Sequence, residues 1–115
     1  MINEIISYLD YIIPAGGAAG PLVDLGDLRV VGWICPAAMD GSSFLIHGGV
    51  DGVNNLRLNQ QGNVIQVGTV ANKIYIPTDN NINEALYCLR WFSLDSNLPE
   101  GSDITVRLIL RGRSS

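Results

Sequence analysis

The sequence predicts an all-β protein, an antiparallel, jelly-roll-like β-sandwich of about eight strands with an N-terminal arm. Thirteen glycines and five prolines are spread along the 115 residues, which is typical of short strands joined by tight turns. Between them lie segments in which apolar and polar residues alternate, as along a strand with one buried face. A hydrophobic fraction of 47% with 16% charged residues indicates a chain that folds, and its length suits a single core.

The chain divides into two predicted parts, an N-terminal arm and loop at residues 1–21 and a β-sandwich domain at residues 22–115. Residues 14–21 are small residues between two prolines, which continue neither a helix nor a central strand. The apolar residues before them also recur at helical spacing, but β-branched and aromatic side chains favour an extended arm or strand. An arm this apolar would be a liability in water, so we expect it to bind a partner surface. The candidate partner-binding residues are Ile2, Ile5, Ile6, Tyr8, Leu9, Tyr11, Ile12 and Ile13.

Eight segments of the body have the composition or alternation of strands. They are residues 22–25, 28–35, 43–50, 55–59, 64–67, 73–76, 85–94 and 103–111. Asp-Gly pairs bound the third segment on both sides, because glycine adopts the positive φ of tight turns without steric cost. The polar residues 78–83 predict an exposed loop. The alternation places these residues in the core: Val30, Phe44, Ile46, Leu58, Ile74, Leu89, Val106 and Leu108.

The charge balance argues against two kinds of partner. Eleven acidic residues against seven basic ones give a net charge of −4, so no basic stripe is present to neutralise the phosphates of a nucleic acid. No run approaches the roughly 18 apolar residues of a membrane-spanning helix. Residues 1–14 contain Glu4 and Asp10 and no basic residue, which is unlike a secretory signal. We therefore expect a protein made in the cytoplasm, without direct contact to nucleic acid or membrane.

The sequence offers little catalytic chemistry. His47 is the single histidine, and no second histidine or cysteine pair completes a metal site or a catalytic base around it. The aspartates lie mainly in turn signals, where they bond nearby backbone donors. Cys35 and Cys88 are expected to be small buried hydrophobes of a reducing compartment, with a bridge between them left open. We expect no enzymatic activity, no cofactor and no metal.

Four aromatic residues keep one alternative open. They are Trp33, Tyr75, Tyr87 and Trp91, and aromatic rings on a sandwich can stack on sugars. Both tryptophans lie in apolar segments, which favours a place in the core over a glycan site.

Residues 25–39, Leu-Gly-Asp-Leu-Arg-Val-Val-Gly-Trp-Ile-Cys-Pro-Ala-Ala-Met, followed by Phe44 and by Asp-Gly at 51–52, resemble small virion proteins of tailed bacteriophages. In that family a Leu-Val-Gly…Pro-Ala-Ala strand and turn precede a phenylalanine-containing strand that ends in Asp-Gly. Similar pieces follow at residues 75–77, 87–90 and 104–111, so the resemblance spans about residues 22–111. The chain departs from the family at residues 39–40, where a tryptophan is common, and at 91–93, where Ser-Gly-Thr is common.

The resemblance implies a structural protein that binds and stabilises the outside of a capsid shell as a decoration or cement protein. Its expected partner is the major capsid protein, its expected location is the capsid surface of the virion, and a homo-oligomer, dimer or trimer, is expected. Strand addition at an exposed sheet edge would suit such docking. The alternatives are a minor tail or head-fibre component and the glycan-binding module.

Overall fold

The computed structural model describes residues 6–51, 56–57, 59–60, 63–77 and 80–112. Its strands are β1 (Ile6–Ile13), β2 (Val23–Asp24), β3 (Leu28–Ile34), β4 (Ser43–Gly49), β5 (Leu56–Arg57), β6 (Asn59–Gln60), β7 (Asn63–Val64), β8 (Gln66–Gly68), β9 (Ile74–Tyr75), β10 (Trp91–Ser96) and β11 (Ile104–Gly112). Within these described ranges the one helix is α1 (Asn80–Cys88).

The strands form two packed antiparallel sheets. The four-stranded sheet has the order β1-β11-β3-β9, and the five-stranded sheet has the order β2-β10-β4-β5 with β8 also paired to β4. β6 and β7 form a small separate hairpin. The predicted all-β antiparallel sandwich is therefore confirmed, and the jelly-roll connectivity stays a prediction.

The core lies between the two sheets and follows the alternation of the longer strands. In β11 the buried positions are Ile104, Val106, Leu108 and Leu110, and the residues between them are exposed or half-buried. β11 is central in its sheet, with β1 on one side and β3 on the other. Its inward residues are therefore covered by neighbours on both sides as well as by the opposite sheet.

Six of the eight predicted core residues are buried, namely Val30, Phe44, Ile46, Leu89, Val106 and Leu108. Leu58 lies outside the described residues. The prediction for Ile74 is wrong, because Ile74 is 60% exposed. Its neighbour Tyr75 lies opposite the buried Trp33 and packs on that indole with 4.8 Å between ring centroids. Since side chains alternate along a strand, the inward Tyr75 turns Ile74 outward.

The helix α1 corrects the predicted strand at residues 85–94 and the predicted loop at residues 78–83. Ile82, Leu86 and Leu89 follow one another at helical spacing and all contact the core, Leu86 with 1% exposure. The amide of Asn83 donates to the carbonyl of Pro77 at 3.0 Å, which ties the first turns of the helix to the preceding segment. The strand begins only at Trp91, after the helix has ended at Cys88.

The structure also differs from the expected N-terminal arm. Residues Ile6–Ile13 pair along their whole length with β11, so that Leu9 lies opposite Leu108 and Ile13 opposite Ile104. β1 is thus a strand of the sandwich, and the predicted boundary at residues 21 and 22 does not separate it from the body. Residues 1–5 lie outside the described part of the chain.

One side chain of β1, Tyr11, crosses the core and forms hydrogen bonds with backbone groups at the opposite sheet. The hydroxyl of Tyr11 donates to the carbonyl of Pro21 at 2.6 Å and accepts the backbone N–H of Leu94 at 2.9 Å. It therefore bridges the segment before β2 and the strand β10 where their backbones do not bond directly. Burial deprives the phenolate of water and raises the pKa of Tyr11 above the ordinary tyrosine value. The tyrosine is thus a neutral donor and acceptor throughout the physiological range.

The approach of Tyr11 requires a glycine in the neighbouring segment. A methyl group at Gly20 would collide with the Tyr11 hydroxyl and with the Leu94 carbonyl. Gly20 also donates its N–H to that carbonyl at 3.0 Å, and the N–H of Ser96 donates to the carbonyl of Ala18. The chain before β2 therefore runs along β10 with Tyr11 inserted between them.

We predict that Tyr11→Phe lowers the free energy of unfolding by about 1–3 kcal/mol, because the buried Leu94 N–H loses its acceptor and the partly exposed Pro21 carbonyl loses its donor. Urea denaturation at pH 7 measures the change. The matched control is Tyr8→Phe, which removes an identical hydroxyl from a side chain that is 62% exposed and should change stability by less than about 0.5 kcal/mol. Equal effects of the two substitutions would contradict the role of the Tyr11 hydroxyl.

Candidate functional site

The surface that best fits a binding role is the solvent-facing side of the four-stranded sheet. We call it the outer sheet face and define it by Tyr8, Asp10, Ile12, Ile34, Ile74, Ile76, Arg107 and Ile109. One row of directly opposed residues crosses all four strands, running from Asp10 through Arg107 and Ile34 to Ile74. The strand pairing therefore brings residues from four distant parts of the chain onto one surface.

The apolar side chains of this face are unusually open to solvent. Tyr8 is 62% exposed and Ile12 is 47% exposed on β1, while Ile74 and Ile76 at the other edge are 60% and 63% exposed. Gly32 allows Ile76 to lie over the sheet, because a side chain at position 32 would meet Ile76 and the Tyr75 carbonyl. Isolated exposed hydrophobics are common, but several on one sheet face are typical of an interaction site.

An ion pair between Asp10 and Arg107 lies on the outer sheet face. The Nε of Arg107 is 2.9 Å from a carboxylate oxygen of Asp10, directly across the strand pair. The hydrogen bond that Arg107 donates to Asp10 raises the pKa of Arg107 above its already high ordinary value. The pair cancels its own charge, so the centre of the face is polar without a net charge. A partner can therefore cover the face without burying an unpaired ion.

The structure divides the predicted partner-binding residues into three groups. Tyr8 and Ile12 are exposed on the outer sheet face, and Leu9 is half-buried at the edge of the core. Tyr11 and Ile13 are 2% and 0% exposed, so the prediction is wrong for these two, which fill the chain's own core because odd-numbered residues of β1 face inward. Ile2 and Ile5 lie outside the described residues, and Ile6 is described only as the first backbone position of β1.

A second polar feature lies in the loops at one end of the sandwich, around Glu100. The side chain of Glu100 is 2% exposed, and its carboxylate accepts the N–H groups of Asp40 and Gly41 at 2.7 and 2.8 Å and the Ser96 hydroxyl at 2.7 Å. Burial alone would raise the pKa of Glu100, but these hydrogen bonds outweigh it and the pKa is lowered. A methyl group at Gly41 would collide with the Ser96 hydroxyl, so this turn requires glycine there.

The same loops are joined by a second set of contacts. The carboxylate of Asp40 accepts the N–H of Gly101 at 2.6 Å, and the side chain of Asn97 accepts the N–H of Ser42 at 2.8 Å. Sequence reasoning read Asp40 as part of a turn signal but missed its partners and missed Glu100. No local pattern marks a buried glutamate whose donors lie about sixty positions away, as Glu100 and Asp40 do. The cluster is a structural clamp between two loops.

His47 and Asp95 form a pair on the five-stranded sheet. The Nδ1 of His47 is 3.4 Å from a carboxylate oxygen of Asp95, whose side chain is 8% exposed, while the His47 side chain is 32% exposed. Ser93 lies opposite His47 in the strand register. In the described residues no group of three or more His, Cys, Asp or Glu side chains is placed to hold a metal ion. The pair joins β4 to β10.

The aromatic residues occupy different environments. Trp33 is fully buried and packs against Phe44 and Tyr75, so its indole has no face for a sugar. The core interpretation of Trp33 is therefore confirmed. Tyr87 is 45% exposed on α1, and its ring packs against the guanidinium of Arg29 at 5.0 Å.

The two cysteines are both free thiols. Cys35 is buried, as expected of a small hydrophobe, whereas Cys88 is exposed at the end of α1. The burial expected of Cys88 is wrong because the predicted strand is a helix, which turns this position to solvent. In the described part of the chain, no helix is long and apolar enough to span a membrane.

The fold and the outer sheet face define a small β-sandwich protein with an exposed apolar surface on one sheet. No protein-family model, no curated protein and no solved structure matches the chain.

We predict that Glu100→Gln lowers the free energy of unfolding at pH 7 by about 1–3 kcal/mol, because the amide leaves a buried donor unpaired. The pKa of Glu100 is lower in the folded protein than its ordinary value of 4.5, so its stabilisation is complete above that value and is lost as the pH falls through the folded pKa. Urea denaturation between pH 7 and pH 3 should show the two proteins converging at low pH.

The control for this experiment is Asp27→Asn, which removes an exposed carboxylate from a turn and should change stability by less than about 0.5 kcal/mol at pH 7. A constant difference between wild type and Glu100→Gln across this pH range would contradict the role of the ionised carboxylate.

Proposed function

We propose that the protein is a structural protein of a tailed bacteriophage that binds the outside of the capsid shell as a decoration or cement protein. The observation that carries the proposal is the outer sheet face, where Tyr8, Ile12, Ile74 and Ile76 are all about half exposed or more. The resemblance of residues 22–111 to small virion proteins supports the choice of the shell as the partner.

The outer sheet face suits a flat partner surface. Its residues come from regular strands or lie directly over them, so they are held by the backbone pairing and lose little freedom on binding. The Asp10 and Arg107 pair lies between the apolar residues and offers hydrogen-bonding groups in fixed positions. A largely apolar surface with a central polar pair is a common composition for a protein interface.

The size of the apolar surface indicates how the protein would stay attached. Covering a half-exposed isoleucine or tyrosine contributes about 1–1.5 kcal/mol, so the four side chains together contribute about 4–6 kcal/mol. Association itself costs an estimated ~4–15 kcal/mol. One copy would thus bind weakly by this face alone, and several linked copies would bind far more tightly. A homo-oligomer, dimer or trimer, on the major capsid protein fits this estimate.

The proposal assigns no catalytic step, cofactor or metal to the protein, and no direct contact with nucleic acid or membrane. A tail or head-fibre location would use the same kind of surface on a different virion protein. The burial of Trp33 removes one of the four aromatic residues on which a glycan-binding function would depend.

We predict that the pair of substitutions Tyr8→Lys and Ile76→Lys reduces binding to undecorated capsids at least tenfold, because two charges would be buried without partners at the interface. Co-sedimentation of purified protein with capsids measures the bound fraction. Tyr8 and Ile76 are 62% and 63% exposed, so the substitutions should not disturb folding, which circular dichroism verifies.

The matched control carries Val50→Lys and Leu98→Lys. These residues are 70% and 51% exposed and lie outside the outer sheet face, so this variant should bind as wild type does. Equal binding by all three proteins would contradict the outer sheet face as the docking site. Failure of the wild type to bind would contradict the capsid proposal, and retention on tail proteins or on a glycan column would identify the alternative.

A further inference from the structure

β1 is an edge strand whose second side is open. β11 pairs with one side over Ile6–Ile13, and within the described ranges no strand pairs with the other side. The opposite edge of the same sheet is the two-residue strand Ile74–Tyr75, which offers far less backbone. An open edge presents unpaired N–H and C=O groups to another strand.

The strand lacks the features that usually protect an open edge. It contains no proline within Ile6–Ile13, and its single charged residue, Asp10, is already paired with Arg107. Proteins commonly guard long edges with prolines, bulges or free lysines. β1 is regular along its whole pairing with β11, because the one register shift of that sheet lies between β11 and β3.

The core is also incomplete at this edge. Leu9 faces inward but is only half-buried, whereas Leu108, which lies directly opposite on β11, is fully buried. Leu108 therefore has cover that Leu9 lacks, whereas the other inward residues of β1, Tyr11 and Ile13, are already buried. A further strand at the open edge would bring an inward-facing side chain beside Leu9.

We propose that the open edge of β1 pairs antiparallel with β1 of a second copy of this chain, about a two-fold axis next to Leu9. Directly opposed residues of an antiparallel pair have their side chains on the same face of the sheet. A two-fold axis perpendicular to the sheet must therefore pass beside one residue of β1, which then lies opposite the same residue of the second copy. Centring at Asp10 opposes two aspartates, which is unfavourable, and centring at Tyr11 leaves only residues 9–13 paired.

Centring the axis at Leu9 gives favourable pairs of opposed side chains on both faces of the sheet. Residues 6–12 then pair, Leu9 lies opposite Leu9 of the second copy, and Tyr8 lies opposite Asp10 of the second copy. On the inner face the two leucines cover each other, which completes the core at the edge. On the outer face a phenol lies opposite a carboxylate, so no like charges are opposed. The strand is thus complementary to itself in this register.

The pairing would join the two four-stranded sheets into one continuous sheet with both outer sheet faces on the same side. It specifies the dimer among the oligomers considered above and names its contact. The inference does not rest on the proposed function, because it concerns the free protein in solution.

The first measurement is the mass of the unmodified protein in solution by light scattering. We expect twice the 12.4 kDa of the chain, with dissociation on dilution. Hydrogen exchange of the same protein should show amides of residues 7–12 that are protected in the dimer and lose protection on dilution. These measurements need no substitution, so a failure of folding cannot obscure them.

The second measurement tests the register by oxidation of introduced cysteines in a Cys88→Ser background. With Leu9→Cys, the two Cα atoms lie about 4.5–5.5 Å apart, within disulfide range, so a covalent dimer should form. The matched control is Ser7→Cys on the same inner side of β1. Its two copies would be displaced by roughly 13 Å along the strands, so it should stay uncross-linked.

A monomer at all concentrations would overturn the proposal. A dimer whose β1 amides stay unprotected, or one that cross-links at position 7 rather than at position 9, would overturn the edge pairing and its register. Capsid binding by a protein that is monomeric in solution would leave the proposed function standing while refuting this inference.

Discussion

The contact on which the rest of the structure depends is the hydroxyl of Tyr11 inside the backbone pairing of the opposite sheet. It belongs to β1 of the four-stranded sheet, and it bonds to Leu94 on β10 and to Pro21 just before β2. A single side chain therefore fixes the distance between the two sheets and the path of the connecting segment, which passes close to it at Gly20. Because the Leu94 N–H is buried, loss of the hydroxyl leaves this donor without a partner in a place that water does not reach.

The same strand holds the sandwich together and presents the surface proposed for docking. Because side chains alternate along β1, Tyr11 points into the core and Tyr8 points to solvent. The contacts that hold Tyr11 therefore also set the orientation of Tyr8. At the end of the sandwich where Glu100 lies, the Asp40 and Gly41 amides hold its loop to the turn before β4. The outer sheet face thus lies on strands whose inward side chains hold them in the core. A partner therefore contacts side chains whose positions are already fixed.

Sequence reasoning succeeded where the signal was local and failed where it depended on distant residues. The alternation of β11 needed only period two, and its two predicted core residues, Val106 and Leu108, are buried. The helix α1 was missed because the spacing of Ile82, Leu86 and Leu89 extends across a segment that was read as a loop followed by a strand. Ile74 was placed on the wrong face by one position, since a two-residue strand has too short a pattern to set its register. The role of Glu100 could not be predicted, because its two backbone donors, Asp40 and Gly41, are distant in the chain.

The outer sheet face is the surface that we propose meets the shell. Hydroxyl-radical footprinting of the protein, free and bound to capsids, tests it most directly because it reports the accessibility of individual side chains. We expect modification of Tyr8, Ile74 and Ile76 to fall on binding while Val50 and Leu98 are modified as in the free protein, since the last two lie away from that face. Protection of Val50 or Leu98 with unchanged modification of Ile74 and Ile76 would contradict the claim.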